Sequence, residues 1–258
     1  MDLKKTGVGS RMNTEYHHWY SQNLNQEMEL KVYGHAGRPV LVFPAQAGRF
    51  FEFEDFGMTE AVRWFIEQGH FQFYTVDSID GQSWANWDAH PADRARRHQD
   101  YDSYICNEVV PFVRTRLGSE VCMLTTGVSM GAYHSGNFFF KHPDLFDGMI
   151  ALSGLSQLEM FIGDFVNDDV YFNSPLLYLP GLTDEWHLSR YRDSDIIICV
   201  GQGAWEDEML ADARAMEGLL AAKGIPAWVD YWGQDVNHDW PWWRIQLPYF
   251  LGKLSEKK

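Results

Sequence analysis

The sequence predicts an α/β fold, with a mostly parallel central sheet carrying helices on both faces. Three observations carry that expectation. Short apolar runs alternate with segments of helical spacing along most of the chain. Runs such as "PVLVF" and "IIICV" are apolar from end to end, as strands covered on both faces are. The third is size: 258 residues, 45% of them hydrophobic, are enough to close one large core. Residues 13–258 are therefore expected to form one domain behind a loose tail at 1–12.

The elements follow in chain order. "EYHHWYS" and "MELKVYG" read as a first pair of strands, and "RPVLVFPA" as a buried strand that stops at Pro44. A helix is expected from about Thr59 to Gln68, and "FQFYTVDS" is the next strand. The loop "IDGQSWANWDAH" leads into a helix from about Pro91 to Leu117, in which Pro111 should cause a break or kink. "EVCMLTTGVS" is a strand, "MGAYHSGNFFFKHP" a helix ended by Pro143, and "FDGMIALSG" a strand. Residues 155–194 lack a period and are too long for an ordinary connection, so they read as an irregular excursion over one end of the sheet. "DIIICVG" returns to the sheet. An amphipathic helix ending before Gly224, the strand "PAWVDYWG" and the helix "PWWRIQLPYFLGKL" close the chain.

The stretch "TTGVSMGAYHSG" at 125–136 places Ser129 between Gly127 and Gly131, after an apolar strand and ahead of a helix. Gly-x-Ser-x-Gly alone is a weak signal, but this order is what a nucleophilic serine needs. Small neighbours relieve a sharp turn, and the helix start aims N–H groups, that of Met130 first, at a developing oxyanion. A serine that merely caps a buried helix is the structural alternative. A serine hydroxyl also needs a histidine to take its proton and a carboxylate to orient that histidine. In α/β-hydrolase topology these follow the serine in the order acid, histidine. His238, in "GQDVNHDWPWW", lies where that order puts it; His187 falls in the excursion and reads as a surface residue. His134 and His142 are too close to Ser129 in sequence. For the acid, "GQGAWEDEML" offers Glu206, Asp207 and Glu208. Glu206 is preferred over Asp207, and Glu208 should already face outward on the helix.

"GVSMGAYHSGNFFFKHPDLFDGMIALSG" and "NHDWPWWRIQLPYF" resemble the nucleophile elbow and histidine loop of an esterase family within the α/β hydrolases. That family contains S-formylglutathione hydrolase (esterase D), ferulic-acid esterases and mycolyltransferases. The resemblance spans about residues 14–253. It implies an α/β-hydrolase fold, Ser129 as nucleophile, His238 as base and a carboxylate at 206 or 207. It also implies a second oxyanion N–H from the loop "FPAQAGRF". Pro44 has none, so Gln46 is the choice, with Ala45 as its neighbour. The implied activity is cleavage of a carboxylic ester or thioester through an acyl-enzyme. Acyl transfer to an alcohol or sugar, and ligand binding without catalysis, are the rival readings.

Other features carry less. In "SIDGQSWANW", Asp77, Trp84 and Trp87 follow a strand end where such sheets bind ligands, so Asp77 and Trp84 are candidate substrate contacts, with loop packing as the alternative. Trp64 and Trp228 read as core. Arg94, Arg96 and Arg97 read as a solvated helix start. With 21 basic and 36 acidic residues the net charge is −15, which disfavours nucleic acid and anionic membranes as partners. No cluster with zinc spacing and no P-loop appears, so no metal and no cofactor are expected. Cys106, Cys122 and Cys199 lack paired spacing and read as reduced core residues. No signal segment is evident, and a cytoplasmic protein acting on a small-molecule ester is expected; homo-oligomerisation is left open.

Overall fold

The computed structural model describes residues 12–256; most of the expected tail, residues 1–11, lies outside them. Its centre is one eight-stranded sheet: β1 (Thr14–Ser21), β2 (Gln26–Tyr33), β3 (Arg38–Phe43), β4 (Phe71–Val76), β5 (Met123–Val128), β6 (Phe146–Leu152), β7 (Asp195–Val200) and β8 (Trp228–Tyr231). The spatial order is β1-β2-β4-β3-β5-β6-β7-β8. β2 pairs antiparallel with β1 and β4, and every pairing from β4 to β8 is parallel.

Alternation along the strands divides the core. Leu41 and Phe43 point into one apolar cluster while Val40 and Val42 point into another, because successive side chains leave a strand on opposite faces. The first cluster takes in α1 (Pro91–Tyr104), α2 (Val110–Leu117), α3 (Met130–Lys141) and α5 (Asp207–Ala222); α4 (Glu185–Arg192) also packs there through Leu188 and Tyr191. The second holds α6 (Trp240–Ser255) and the segment after β3.

Local chemistry explains most of the departures from expectation. The segment expected as one helix from Thr59 to Gln68 forms short helical turns at Met58–Ala61 and Arg63–Glu67 instead, with Val62 out of helical geometry between them. The long helix does not end ahead of Pro111. It widens into a π turn, Ile105–Val109, between α1 and α2, which accommodates a residue that has no N–H and crowds the preceding turn. Glu108 on that turn accepts hydrogen bonds from Trp19 Nε1 (2.8 Å), Ser21 Oγ (2.8 Å) and the Asn23 N–H (3.1 Å), so the turn pins the β1–β2 hairpin.

The excursion after β6 is more helical than its sequence suggests. It carries short turns at Glu159–Ile162, Asp168–Tyr171 and Pro175–Tyr178 before α4. Leu158, Phe161, Ile162 and Val170 build a satellite cluster with Trp84, Met130 and Tyr133. Arg94 is buried rather than solvated: its guanidinium donates to the carbonyls of Trp84 and Phe161 and ties α1 to the excursion. Trp64, expected in the core, is 58% exposed. Of the three cysteines, all free, only Cys199 is fully buried.

Candidate active site

β5 is buried along its whole length and delivers the chain to Ser129, which sits at φ 54 and ψ −122 immediately before α3. A non-glycine residue rarely holds a positive φ, and here the sharp turn exposes the hydroxyl. The flanking glycines are sterically required. A Cβ on Gly127 would lie 2.3 Å from the carbonyl of Gly131, and one on Gly131 would lie 2.3 Å from the Phe43 oxygen. The Ser129 N–H donates to the Leu152 carbonyl (3.0 Å), which locks the elbow to β6.

His238 Nε2 lies 2.8 Å from Ser129 Oγ. Its loop is held from β7's side: the His238 N–H donates to the Ala204 carbonyl (3.0 Å), and the Ala204 N–H donates to Asn237 Oδ1 (2.8 Å). His238 Nδ1 faces Glu206 Oε2 at 3.5 Å, longer than an ordinary hydrogen bond. Glu206 immediately precedes α5 and is 1% exposed, whereas Asp207 and Glu208 are solvent-exposed. Of the three consecutive carboxylates, Glu206 is the one brought to the histidine.

Two residues that sequence reasoning missed complete the surroundings. Ser153, just past β6, donates to Glu206 Oε1 at 2.6 Å. Trp243 Nε1 donates to Ser153 Oγ at 3.1 Å, and the indole stands edge-on to the His238 ring with centroids 5.0 Å apart. Trp243, Leu247, Phe250 and Leu254 recur at helical spacing and form a buried face of α6; nothing near Ser153 in sequence signals its partners.

On the opposite side lies the loop after β3. The Ala45 N–H donates to Glu52 Oε2 (2.7 Å), and a Cβ on Gly48 would fall 2.4 Å from the same carboxylate, so Glu52 shapes this loop. Burial raises the Glu52 pKa against the pull of that N–H, and Asp80 adds to the rise. Gln46 is exposed at the loop's crest, next to Ala47 at φ 60. A narrow cavity of about 20 Å³ lies beneath, bounded by Pro44, Glu52, Gly127 and Trp240.

The two candidate substrate contacts are not presented to a ligand. Trp84 is fully buried in the satellite cluster, so its loop position serves packing. Asp77 is 5% exposed and its carboxylate receives Arg49 Nε at 2.7 Å; burial raises its pKa, and Arg49 opposes the rise. His187 pairs with Asp184 on the surface and His134 with Asp80 in the core. Among the described residues one trio, Asp102, Cys106 and His142, has ligand atoms close enough to hold a metal ion, a grouping that sequence spacing did not reveal. The Lys141 ammonium already sits 2.7 Å from Asp102 there.

Comparisons with known proteins identify the family and the fold. The profile of the family described as "Putative esterase" matches residues 21–254. No curated protein matches the chain by sequence. Among solved structures, a ferulic acid esterase superposes with a TM-score of 0.75 at 15% identity, covering 95% of this chain and 98% of its own. The S-formylglutathione hydrolase of Staphylococcus aureus gives 0.71 at 16% identity, over 96% of this chain and 98% of its own. A fluorophosphonate-binding serine hydrolase of the same organism gives 0.71 at 15% identity, over 95% and 99%. At these identities the likeness establishes the shared α/β-hydrolase fold.

Proposed function

The chain belongs to the "Putative esterase" family and is a serine esterase; from that premise we propose that it cleaves a small carboxylic ester or thioester through an acyl-enzyme on Ser129. The observation that carries the reading is the 2.8 Å approach of His238 Nε2 to Ser129 Oγ on a left-handed elbow. His238 takes the hydroxyl proton as Oγ attacks the carbonyl carbon. The oxyanion is stabilised by the N–H of Met130 at the start of α3 and by that of Gln46. Gln46 is preferred to Ala45 because the Ala45 N–H is engaged by Glu52. The imidazolium then protonates the leaving oxygen or sulfur. Water, deprotonated by His238, attacks the acyl-enzyme and releases the acid. Glu206 orients the histidine and balances its charge.

The test is intact-protein mass spectrometry after treatment with a fluorophosphonate, on wild type and Ser129→Ala. One adduct that disappears in the variant, together with loss of p-nitrophenyl ester turnover, supports the proposal. A folded wild type that takes no adduct, or a variant that still turns over, sinks it.

A further inference from the structure

We propose that Ser153 and Trp243 act as a positioning pair that aims Glu206 at His238. The inference rests on the triad reading above. Glu206 is buried to 1% exposure, and among the described residues Ser153 supplies its one hydrogen bond. A buried carboxylate with a single donor on Oε1 can still swing about its side-chain torsions; anchoring Oε1 sets where Oε2 points, which is toward His238 Nδ1.

The direction of the hydroxyl is fixed by its neighbour. An indole N–H can only donate, so Trp243 Nε1 makes Ser153 Oγ an acceptor and commits the hydroxyl's own proton to Glu206. The same indole walls one side of the His238 ring. Thus a single side chain orients both ends of the acid–histidine pair, one through Ser153 and one by contact.

The backbone gives an independent argument. Ser153 holds φ 55, a conformation natural for glycine and costly for serine. Its N–H is satisfied by the Cys199 carbonyl at 2.8 Å, a bond that any residue but proline would make. Nothing about the turn therefore calls for a hydroxyl; what the hydroxyl does is donate to Glu206 and accept from Trp243.

The experiment compares Ser153→Gly, Trp243→Phe and Ser129→Ala with wild type, reading kcat and KM on p-nitrophenyl acetate, the rate of fluorophosphonate labelling and the melting temperature. Glycine removes the hydroxyl while relieving the left-handed backbone, so a purely structural serine would leave kcat and labelling rate alone whatever the melting temperature does. For a positioning serine, kcat and labelling rate fall about 10- to 100-fold, the scale seen when a partner behind a metal ligand is removed, while KM holds. Trp243→Phe keeps the ring against His238 and lowers kcat by about 2- to 10-fold, the worth of one neutral hydrogen bond. Wild-type kcat and labelling in Ser153→Gly overturn the pair even if Ser129→Ala is inert. Should Ser153→Gly fail to fold, unchanged kcat in Trp243→Phe overturns it. Labelling that persists in Ser129→Ala is a different failure, that of the triad reading itself.

Discussion

Glu206 and Asp207 are adjacent carboxylates at the start of one helix, and a single residue of rotation sends the first inward and the second to water. Replacing Glu206 by Gln keeps the shape but removes the charge that, in the proposed triad, holds the histidine's tautomer and stabilises its imidazolium. The proposal expects kcat to fall by about 10³- to 10⁴-fold. Asp207→Asn, on the surface, should stay within about twofold. Steady-state kinetics on one p-nitrophenyl ester decides between them, and equal losses would refute the assignment. From sequence the choice stayed open because capping and the helix dipole favour an acid at each position, whatever its catalytic use. Ser129 and His238 were legible because strand, glycine, serine and helix are consecutive, and because topology orders the partners. Ser153 was not: its contacts lie 53 and 90 residues away, across β7 and α6. Trp84 and Asp77 were misread for a related reason, since whether a loop side chain faces a ligand or the core is decided by what packs on it.

Between elements, a charged tie outside the site joins α1 to the end of α3. Asp102 receives Lys141 Nζ at 2.7 Å and His142 Nε2 at 3.1 Å, with both basic groups at a helix C-terminus where cations are favoured. Burial works against ionisation of Asp102, but the His142 hydrogen bond and the Lys141 charge outweigh it and hold its pKa well below the usual range. A folded pKa below the ~3.9 of an unfolded Asp means stabilisation that is complete above that value and is lost as pH falls toward the folded one. Asp102→Asn should therefore destabilise the protein by about 3 kcal/mol at pH 7, with the gap narrowing below about pH 4. Urea denaturation of both proteins at pH 7 and pH 3 measures it; a gap that is independent of pH would show that the tie carries no charge-dependent stability. The helices themselves were legible from apolar spacing. Their interruptions were less so: proline announces a disturbance without saying that the helix will widen instead of ending. The segment after β3 lost its single helix to short turns packed beneath α6.

At the scale of the whole molecule, the parallel body of the sheet was legible in its largely apolar strands, while the antiparallel placing of β2 beside β4 was not, because strand order is set by which edges meet in space. The same architecture concentrates backbone strain. Ala47, Ser129, Ser153 and Trp205, four of the five described non-glycine residues at positive φ, lie just beyond the C-terminal ends of β3, β5, β6 and β7. Each left-handed residue costs about 1–2 kcal/mol that the two apolar clusters must offset. On warming, ester turnover should then fade about 5 °C below the loss of far-UV circular dichroism, since local openings precede global ones. Ala47→Gly, which removes one such cost, should raise the temperature of half-activity by about 2 °C. Coincident activity and unfolding curves would contradict this. On that prediction the working ceiling of the protein belongs to its rim: near the upper end of its temperature range a fraction of molecules is expected to keep an intact sheet yet perform no chemistry, and cooling is expected to restore them without refolding.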